Sequence, residues 1–235
     1  MSFNLNEHSQ SSNDNKYVYI LLSETPSRFG QVIRRICKIK YNHASIAFDE
    51  DLKLLYSFAR RKNRVPLNAG LVKESCDRFS LRTSSYIAVK IYKIPVTRTQ
   101  YALGKWRIRQ INYDPDGYLY NLFSVLTFPL TRGFGTYKAF SCAEFVVHMI
   151  RHMGIEFSSK RENYQITPEE IGRSLNAEVF FEGNLLEYYG QSPQTSEDFF
   201  ERPRYVKDFL LCSSIIARLI YRKCRHHKRG FLTYS

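Results

Sequence analysis

A cysteine at the start of a predicted helix is the side chain of this sequence best placed for covalent chemistry. Residues 140–150 read Phe-Ser-Cys-Ala-Glu-Phe-Val-Val-His-Met-Ile, and their apolar positions recur at helical spacing. Ser141 is the expected N-cap, which places Cys142 in the first turn. Unpaired backbone N–H groups and the helix dipole favour a thiolate there. The position suits a nucleophile, whereas a lone cysteine among apolar residues is more often a small buried side chain.

The proton acceptor that such a thiol requires can come from a distant part of the chain. Cysteine nucleophiles pair with an imidazole that takes up and returns the proton, and a third polar group orients the ring. His43 stands at the start of a predicted β-hairpin over residues 43–59, and it precedes Cys142 by 99 residues. His148 follows Cys142 by six residues and is expected to pack on the helix surface. His43 is therefore the expected base.

A nucleophilic thiolate also needs donors for the negative charge that develops on the substrate oxygen. The backbone N–H of Cys142 is the expected donor. The phenols of Tyr113, Tyr118 and Tyr120 are an alternative, although we expect these rings to belong to the aromatic core.

The composition indicates a globular, basic protein. The 235 residues are 43% hydrophobic and 15% aromatic, which is enough for a proper core. A net charge of +13 favours anionic partners such as acidic lipids, cell-wall polymers or nucleic acid, or it serves solubility alone. No nucleic-acid-binding motif accompanies the charge, so nucleic acid is not an expected partner. The basic run 60–64 is expected to be a solvated loop, with an anion contact near a site as the alternative.

The cysteines indicate neither a disulfide framework nor a thiolate zinc site. There are five of them, irregularly spaced and without a Cys-x-x-Cys pair: Cys37, Cys76, Cys142, Cys212 and Cys224. No secretory signal and no run of membrane-span length is visible in the sequence. We therefore expect a reducing, cytoplasmic location, and no metal or cofactor.

The hydrophobic pattern divides the chain into three parts. These are a flexible leader at 1–15, a folded domain at 16–190, and a segment at 191–235 with a polar linker, an amphipathic helix and a basic tail. Within the domain, the pattern predicts strands at 17–22 and 86–94 and a turn-rich stretch at 65–84. It predicts helices at 28–39, 97–112 and 118–128, of which the last is expected to be buried, and a further helix with Thr167 as its N-cap. Residues 177–181 and 185–189 are expected to form a terminal hairpin.

The C-terminal helix, expected at 204–223, carries apolar and basic faces. We expect it to dock on the core. The alternative is an interfacial anchor on an anionic membrane surface, because the basic tail follows it directly.

Two of these segments resemble a known family. The stretch NHASIAFDEDLKLLYSFAR at 42–60 resembles the histidine hairpin of the NlpC/P60 superfamily of papain-like enzymes, and FSCAEFVV at 140–147 is similar to their nucleophile helix. In most members the cysteine helix comes first. The reverse order found here matches the circularly permuted branch, which includes the YiiX-like and lecithin:retinol acyltransferase-like proteins.

Shorter motifs extend the resemblance to about residues 17–190. Cys-Ala-Glu-Phe-Val at 142–146 is similar to the Asn-Cys-Glu-His-Phe box of the acyltransferase side, but lacks its Asn and His. Ile-Thr-Pro-Glu-Glu-Ile at 166–171 resembles the Thr/Ser-Pro-x-x-Leu helix that follows the cysteine helix in such proteins.

The resemblance implies an α+β fold of the permuted papain-like type, in which an antiparallel sheet packs against helices and the nucleophile helix lies in the core. It implies Cys142 as nucleophile and His43 as general base. The family places the orienting polar residue on the strand after the histidine strand. The matching inward residue is Ser57, and Asp49 is a charged alternative that we expect in the turn.

The implied function is that of a cysteine hydrolase that cleaves an amide or ester bond through a thioester. Its substrate would be a peptide, a cell-wall fragment or a lipid ester. Two alternatives stay open: transfer of the acyl group to an amine or alcohol at a membrane surface, which would make the protein peripheral to the membrane, and a catalytically inactive binding module on the same fold.

Overall fold

A computed structural model describes residues 16–27, 30, 31, 34, 35, 39–189 and 195–232, with side chains as far as Cys224. The expected leader at 1–15 and part of the expected linker at 191–197 lie outside the described residues. Most of the helix expected at 28–39 does so as well, although residues 30, 31, 34 and 35 are helical.

The fold is a mixed α+β arrangement built on one antiparallel sheet. Six strands form it in the order β4-β3-β2-β1-β5-β8. They are β1 (Lys16–Ser23), β2 (His43–Ala47), β3 (Leu55–Lys62), β4 (Val65–Lys73), β5 (Ala88–Val96) and β8 (Glu178–Asn184). Two short strands, β6 (Leu119–Tyr120) and β7 (Ala139–Phe140), pair in parallel beside it. The antiparallel sheet expected from the sequence is confirmed.

Eight helices surround the sheet in the described residues. They are α1 (Cys76–Ser80), α2 (Arg98–Asn112), α3 (Leu122–Thr131), α4 (Cys142–His152), α5 (Pro168–Ser174), α6 (Leu185–Tyr189), α7 (Glu197–Phe200) and α8 (Tyr205–Leu232). A single 3-10 turn at Asn163–Gln165 connects α4 to α5. The N-cap of α5 is Thr167, as its motif predicts.

The central strand β1 is apolar because both of its faces are covered. Val18, Ile20 and Leu22 pack in the cluster that contains the buried face of α4. Tyr19 and Leu21 pack in a second cluster on the opposite face. A strand buried on both sides gives a continuous apolar run instead of an alternating one, as the sequence shows at 17–22.

Helix α4 lies in the core. Ser141 caps it: the Ser141 hydroxyl accepts from the backbone N–H of Glu144, and the Glu144 carboxylate accepts from the N–H of Ser141, both at 3.1 Å. Phe145, Val147 and Met149 are fully buried. The cap fixes the first residue of the helix, and apolar burial fixes the helix against the sheet.

Three predicted elements differ in the structure. The stretch 65–84 forms β4 and α1. The expected terminal hairpin is wrong: Gly183 pairs with Val89 inside β8, and residues 185–189 are the helix α6. Asn184 lies at the change from strand to helix, and its side-chain oxygen accepts from the N–H of Ile87, which directly precedes β5, and from the N–H of Leu186 in the helix.

The helix expected at 118–128 begins later and is not buried. Leu119 and Tyr120 form β6 because they pair with Ala139 and Phe140, and α3 follows. Leu130 in α3 is 90% exposed. The apolar character of this helix therefore does not reflect burial in the core.

Helix α8 docks as expected, but through a narrow stripe. Ile215 and Leu219 are buried in a cluster with Leu119 and Ala139, and Phe123 of α3 packs against it. Arg222 donates to the backbone oxygens of Lys138 and Asp116. None of the helices in the described part of the chain has the length and apolar content needed to cross a membrane.

Candidate active site

The fold brings the two predicted chemical residues together. The thiol of Cys142 and the imidazole of His43 interact although 99 residues separate them in the chain: each shifts the pKa of the other, and both residues line one pocket. Cys142 Sγ lies 4.0 Å from the backbone oxygen of Asn42, the residue before His43. Cys142 is the first residue of α4, and His43 is the first residue of β2. The backbone pairing of Ser23 with His43 holds the start of β2 to the end of β1. Because α4 packs on the same sheet, its N-terminus meets the start of this strand.

A buried carboxylate that the sequence did not reveal contacts the histidine. Glu74 Oε1 lies 3.0 Å from His43 Nε2, so the imidazole bridges a thiol and a carboxylate. With Nε2 engaged by Glu74, Nδ1 is the ring nitrogen that remains for the sulfur. Glu74 directly follows β4, and its backbone N–H donates to Leu55 O at 2.8 Å.

Ser57 was expected to contact His43, but Glu74 makes that contact instead. The Ser57 hydroxyl donates to Glu74 Oε1 at 2.5 Å, so it supports the carboxylate. On the other side, Arg78 Nε donates to Glu74 Oε2 at 2.7 Å. The alternative, Asp49, accepts from the N–H groups of residues 53 and 54 and shapes the turn, as expected.

The charges of the buried group favour an ionised carboxylate and a protonated ring. Burial raises the pKa of Glu74, but the Arg78 guanidinium and the bonds from His43 and Ser57 outweigh it and bring that pKa to about 2. Burial lowers the pKa of His43, yet its hydrogen bonds to Cys142 and Glu74 prevail and raise that pKa to about 10.

The thiol is shifted in the complementary direction. Burial raises the pKa of Cys142, but the hydrogen bond and charge of His43 outweigh it and place that pKa below the ordinary thiol value. Backbone N–H groups of Ala44 and Ala143 act in the same direction. These directions favour a thiolate–imidazolium pair over a neutral thiol and a neutral imidazole.

One of the three tyrosines assigned to the core lies at the sulfur. The phenol of Tyr120 lies close enough to Cys142 to respond to its charge: burial raises the Tyr120 pKa well above its usual range, and the charge of Cys142 adds to this shift. Tyr118 stacks on Phe140 at 5.4 Å, as a core ring would. Tyr113 is exposed, so its expected burial is wrong. The Leu119–Ala139 pairing positions Tyr120, and this pairing is not evident from local sequence.

His148 is a packing residue, as predicted. Its Nε2 accepts from Arg107 Nε at 2.9 Å, and its ring stacks on Phe140 at 4.9 Å. Burial lowers the pKa of His148 to about 4, and the charge of Arg107 adds to this shift. A neutral imidazole that is already engaged as an acceptor is not available to the thiol.

An open pocket reaches the sulfur. Its volume is about 480 Å³, and Cys142, His43, Glu74 and Tyr120 belong to its wall. Its apolar wall includes Phe58, Pro66, Phe79, Leu122 and Phe199. Cys142 is only 6% exposed, but its sulfur faces a space large enough for a small acyl group.

In the described part of the chain, no group of three or more His, Cys, Asp or Glu side chains is placed to hold a metal ion.

Comparison with known proteins identifies no relative: no family model, no curated protein and no solved structure matches the chain.

Proposed function

We propose that this protein is a cysteine hydrolase that cleaves an amide or ester bond through a thioester on Cys142. The observation that carries the proposal is the chain of contacts from the Cys142 thiol through His43 to the buried Glu74, at the wall of an open pocket. A thiolate nucleophile, a general acid–base and an orienting carboxylate are the three groups that such chemistry requires.

In the first half of the reaction, the Cys142 thiolate attacks the carbonyl carbon of the substrate. Three donors near the sulfur are available to the oxyanion that develops: the phenol of Tyr120 and the backbone N–H groups of Ala44 and Ala143. His43 gives its proton to the leaving amine or alcohol as the C–N or C–O bond breaks. The products are a thioester on Cys142 and a neutral imidazole.

In the second half, the neutral His43 takes a proton from a water molecule that attacks the thioester carbon. The C–S bond breaks, the acid leaves, and the thiolate–imidazolium pair returns. Glu74 keeps the ring oriented through both steps and stabilises its positive charge.

We further propose that the domain is a permuted papain-like fold of the NlpC/P60 type. Three features support this: the histidine strand precedes the cysteine helix, the cysteine is the first residue of a buried helix, and that helix packs on an antiparallel sheet whose strand β2 carries the histidine.

A general activated ester tests the proposal without knowledge of the natural substrate. The full-length protein is incubated with p-nitrophenyl acetate, quenched in acid and analysed by peptide mass spectrometry. We expect an acetyl group on the peptide that contains Cys142, and a rate of acetylation roughly 10²–10⁴-fold lower in His43→Ala. His148→Gln is the matched control, because it changes a histidine of the same region that contacts no part of the pocket, and it should acetylate normally.

Two outcomes would argue against a hydrolase. One is acetylation of the exposed Cys224 without acetylation of Cys142. The other is a stable acetyl group on Cys142 that water never removes, which would favour acyl transfer to another acceptor.

A further inference from the structure

The pocket beside Cys142 carries more positive than negative charge. Among the described residues of its wall, Arg60, Arg78 and the His43 imidazolium face two anionic groups, Glu74 and the Cys142 thiolate. The basic run 60–64 was expected to be a solvated loop, with an anion contact near a site as the alternative. Residues 60–62 instead end strand β3, and Arg60 lines the pocket.

The two arginines of the pocket are engaged differently. Arg78 binds Glu74 Oε2 through Nε, donates to Arg60 O through Nη2, and lies over the ring of Phe199 at 4.2 Å. Arg60 forms no ion pair with any of the described residues. Its Nη1 donates to the backbone oxygen of Asn63 at 2.8 Å, which anchors one corner of the guanidinium.

We propose that Arg60 binds an anionic group of the substrate, a carboxylate or a phosphate close to the acyl group that Cys142 attacks. The inference rests on the proposed function, because it places the anion relative to that nucleophile. A guanidinium anchored at one nitrogen still presents other N–H donors to an oxyanion, and the planar fork of arginine suits both carboxylate and phosphate.

Two alkylating reagents that differ in charge test this on the protein itself. Iodoacetate and iodoacetamide react with a thiolate by the same displacement, but only iodoacetate carries a carboxylate. The ratio of their rate constants at Cys142, measured by peptide mass spectrometry, should fall about tenfold in Arg60→Met. Arg64→Met is the matched control: it removes the same charge from an exposed residue outside the pocket, and its ratio should equal that of the wild type.

The possible outcomes separate this inference from the proposed function. An unchanged ratio in Arg60→Met, with Cys142 still reactive toward iodoacetamide, overturns the role of Arg60 alone. A wild-type Cys142 that reacts with neither reagent overturns the proposed function. Protection of Cys142 from iodoacetamide by acetate or by inorganic phosphate, at matched ionic strength, supports the anion site and shows which anion it prefers. Protection by neither anion counts against the site.

A second inference rests on the outer face of α8. Eight large apolar side chains of this helix each expose more than a third of their surface, up to 81% at Tyr205. Tyr205 and Leu211 are set aside here, and the other six are Val206, Phe209, Leu210, Ile216, Ile220 and Tyr221. At 100° per residue they fall in one sector, opposite the docked Ile215 and Leu219. We call this sector the outer face of α8.

Between residues 206 and 221 the outer face carries no charge, but basic residues flank it. Lys207 and Arg218 lie on one side of the sector and Lys223 on the other. Arg218 and Lys223 also donate to the backbone oxygens of Asp116 and Gly135, which holds these two flanks against the domain. The sequence 222–229, Arg-Lys-Cys-Arg-His-His-Lys-Arg, continues the positive charge without an acidic residue. Leu126 and Leu130 of α3 add exposed apolar surface nearby, because Phe123 of the same helix packs against the α8 cluster.

We infer that the outer face of α8 binds the surface of a membrane that contains anionic lipids. An uncharged apolar sector with basic flanks is the pattern of a helix that lies in the plane of the headgroups. Charge complementarity favours lipid over a second copy of the chain: two such faces in contact would bring two basic tails together, whereas anionic headgroups attract them.

Co-sedimentation of the full-length protein with vesicles tests this inference. We expect binding to phosphatidylcholine–phosphatidylserine vesicles that weakens with salt, and little binding to phosphatidylcholine alone. The double variant Phe209→Ser/Leu210→Ser should lose at least tenfold in affinity. Tyr86→Ser/Tyr113→Ser removes two exposed rings elsewhere and should bind as the wild type does.

Equal vesicle binding by the outer-face variant and the wild type overturns the inference. A second result would also overturn it: the wild type does not bind vesicles but forms a dimer in sedimentation velocity, and the outer-face variant does not form this dimer. The partner of the outer face would then be a second copy of the chain.

Discussion

Replacing Glu74 by glutamine tests the role of the carboxylate behind His43. The amide keeps the size of the side chain and removes its charge. Glu74 accepts from three groups, two of which are cationic at neutral pH, the His43 imidazolium and Arg78. The substitution therefore leaves the imidazolium without the anion that stabilises it, and the proton should return to the sulfur.

The size of the effect follows from these contacts. A hydrogen bond to a charged group contributes roughly 1.5–3 kcal/mol, and about 1.4 kcal/mol corresponds to a tenfold change in an equilibrium. The population of the thiolate–imidazolium pair in Glu74→Gln should thus fall by roughly ten- to a hundredfold. Ser57→Ala removes one donor to Glu74 but keeps the carboxylate, so its effect should be smaller.

The assay is the alkylation rate of each cysteine with iodoacetamide at about pH 6, resolved by peptide mass spectrometry. An ordinary thiol is only about 0.3% ionised there, so an activated Cys142 should dominate. Glu182→Gln is the matched control: it makes the same chemical change on strand β8, where the carboxylate binds the exposed Lys40 and the half-buried Lys90. Its alkylation rate should not change.

Folding must be measured alongside, since removal of one partner from a buried ion pair costs about 3–5 kcal/mol. Circular dichroism at the assay temperature identifies the folded fraction, to which rates are normalised. A folded Glu74→Gln protein whose Cys142 reacts as fast as in the wild type would refute the reasoning, because the carboxylate would then be irrelevant to the charge on the ring.

Three further predictions concern pH, the helix cap and the oxyanion. Because the Glu74 pKa is depressed from 4.5 to about 2, its contribution to stability is present above pH 4.5 and is lost as pH falls toward 2. In an acid denaturation series, the free energy of unfolding of the wild type should fall by about 3 kcal/mol more over this range than that of Glu74→Gln. The same dependence of the unfolding free energy on pH in both proteins would contradict this prediction. Ser141→Ala removes the N-cap of α4, so it should lower the free energy of unfolding by about 1 kcal/mol and slow the alkylation of Cys142. Thr167→Ala removes the N-cap of α5, so it should lower the free energy of unfolding by a similar amount and leave the alkylation rate of Cys142 unchanged. Equal alkylation rates in both variants would show that the cap of α4 does not position the thiol. Tyr120→Phe should slow the acetylation of Cys142 by p-nitrophenyl acetate by roughly 10²-fold but change its alkylation much less, since only acetylation passes through an oxyanion. Equal effects on both reactions would show that the phenol stabilises the thiolate and not the oxyanion.

The nucleophile helix and the histidine hairpin could be predicted because their signals are local. The apolar spacing at 140–150 and the Ser141 cap define α4, and the run at 43–59 defines β2 and β3. Both segments carry their own periodicity, so no knowledge of the rest of the fold is needed.

Glu74 could not be predicted because its strand has a weak local pattern. The residues of β4 read Val-Pro-Leu-Asn-Ala-Gly-Leu-Val-Lys, in which Pro66, Asn68 and Gly70 disfavour a strand. Pairing with β3 and cover from α8 stabilise it instead. A carboxylate at the end of such a strand gains meaning only when the sheet order is known.

The exposure of helix α3 could not be predicted from local sequence either. Hydrophobicity at 118–128 predicted burial, but apolar residues also cover exposed surfaces that meet other molecules. The exposed Leu126 and Leu130 of α3 belong to such an apolar surface outside the core.

The central claim is that Cys142 is ionised at neutral pH because His43 holds the proton. The most direct measurement is the ultraviolet thiolate absorbance as a function of pH, taken as the difference between the wild type and Cys142→Ser. The account predicts a thiolate that persists to lower pH than an ordinary thiol in the wild type and returns to an ordinary titration in a His43→Ala background. A Cys142 that titrates near pH 8.5 or above in both backgrounds would contradict it.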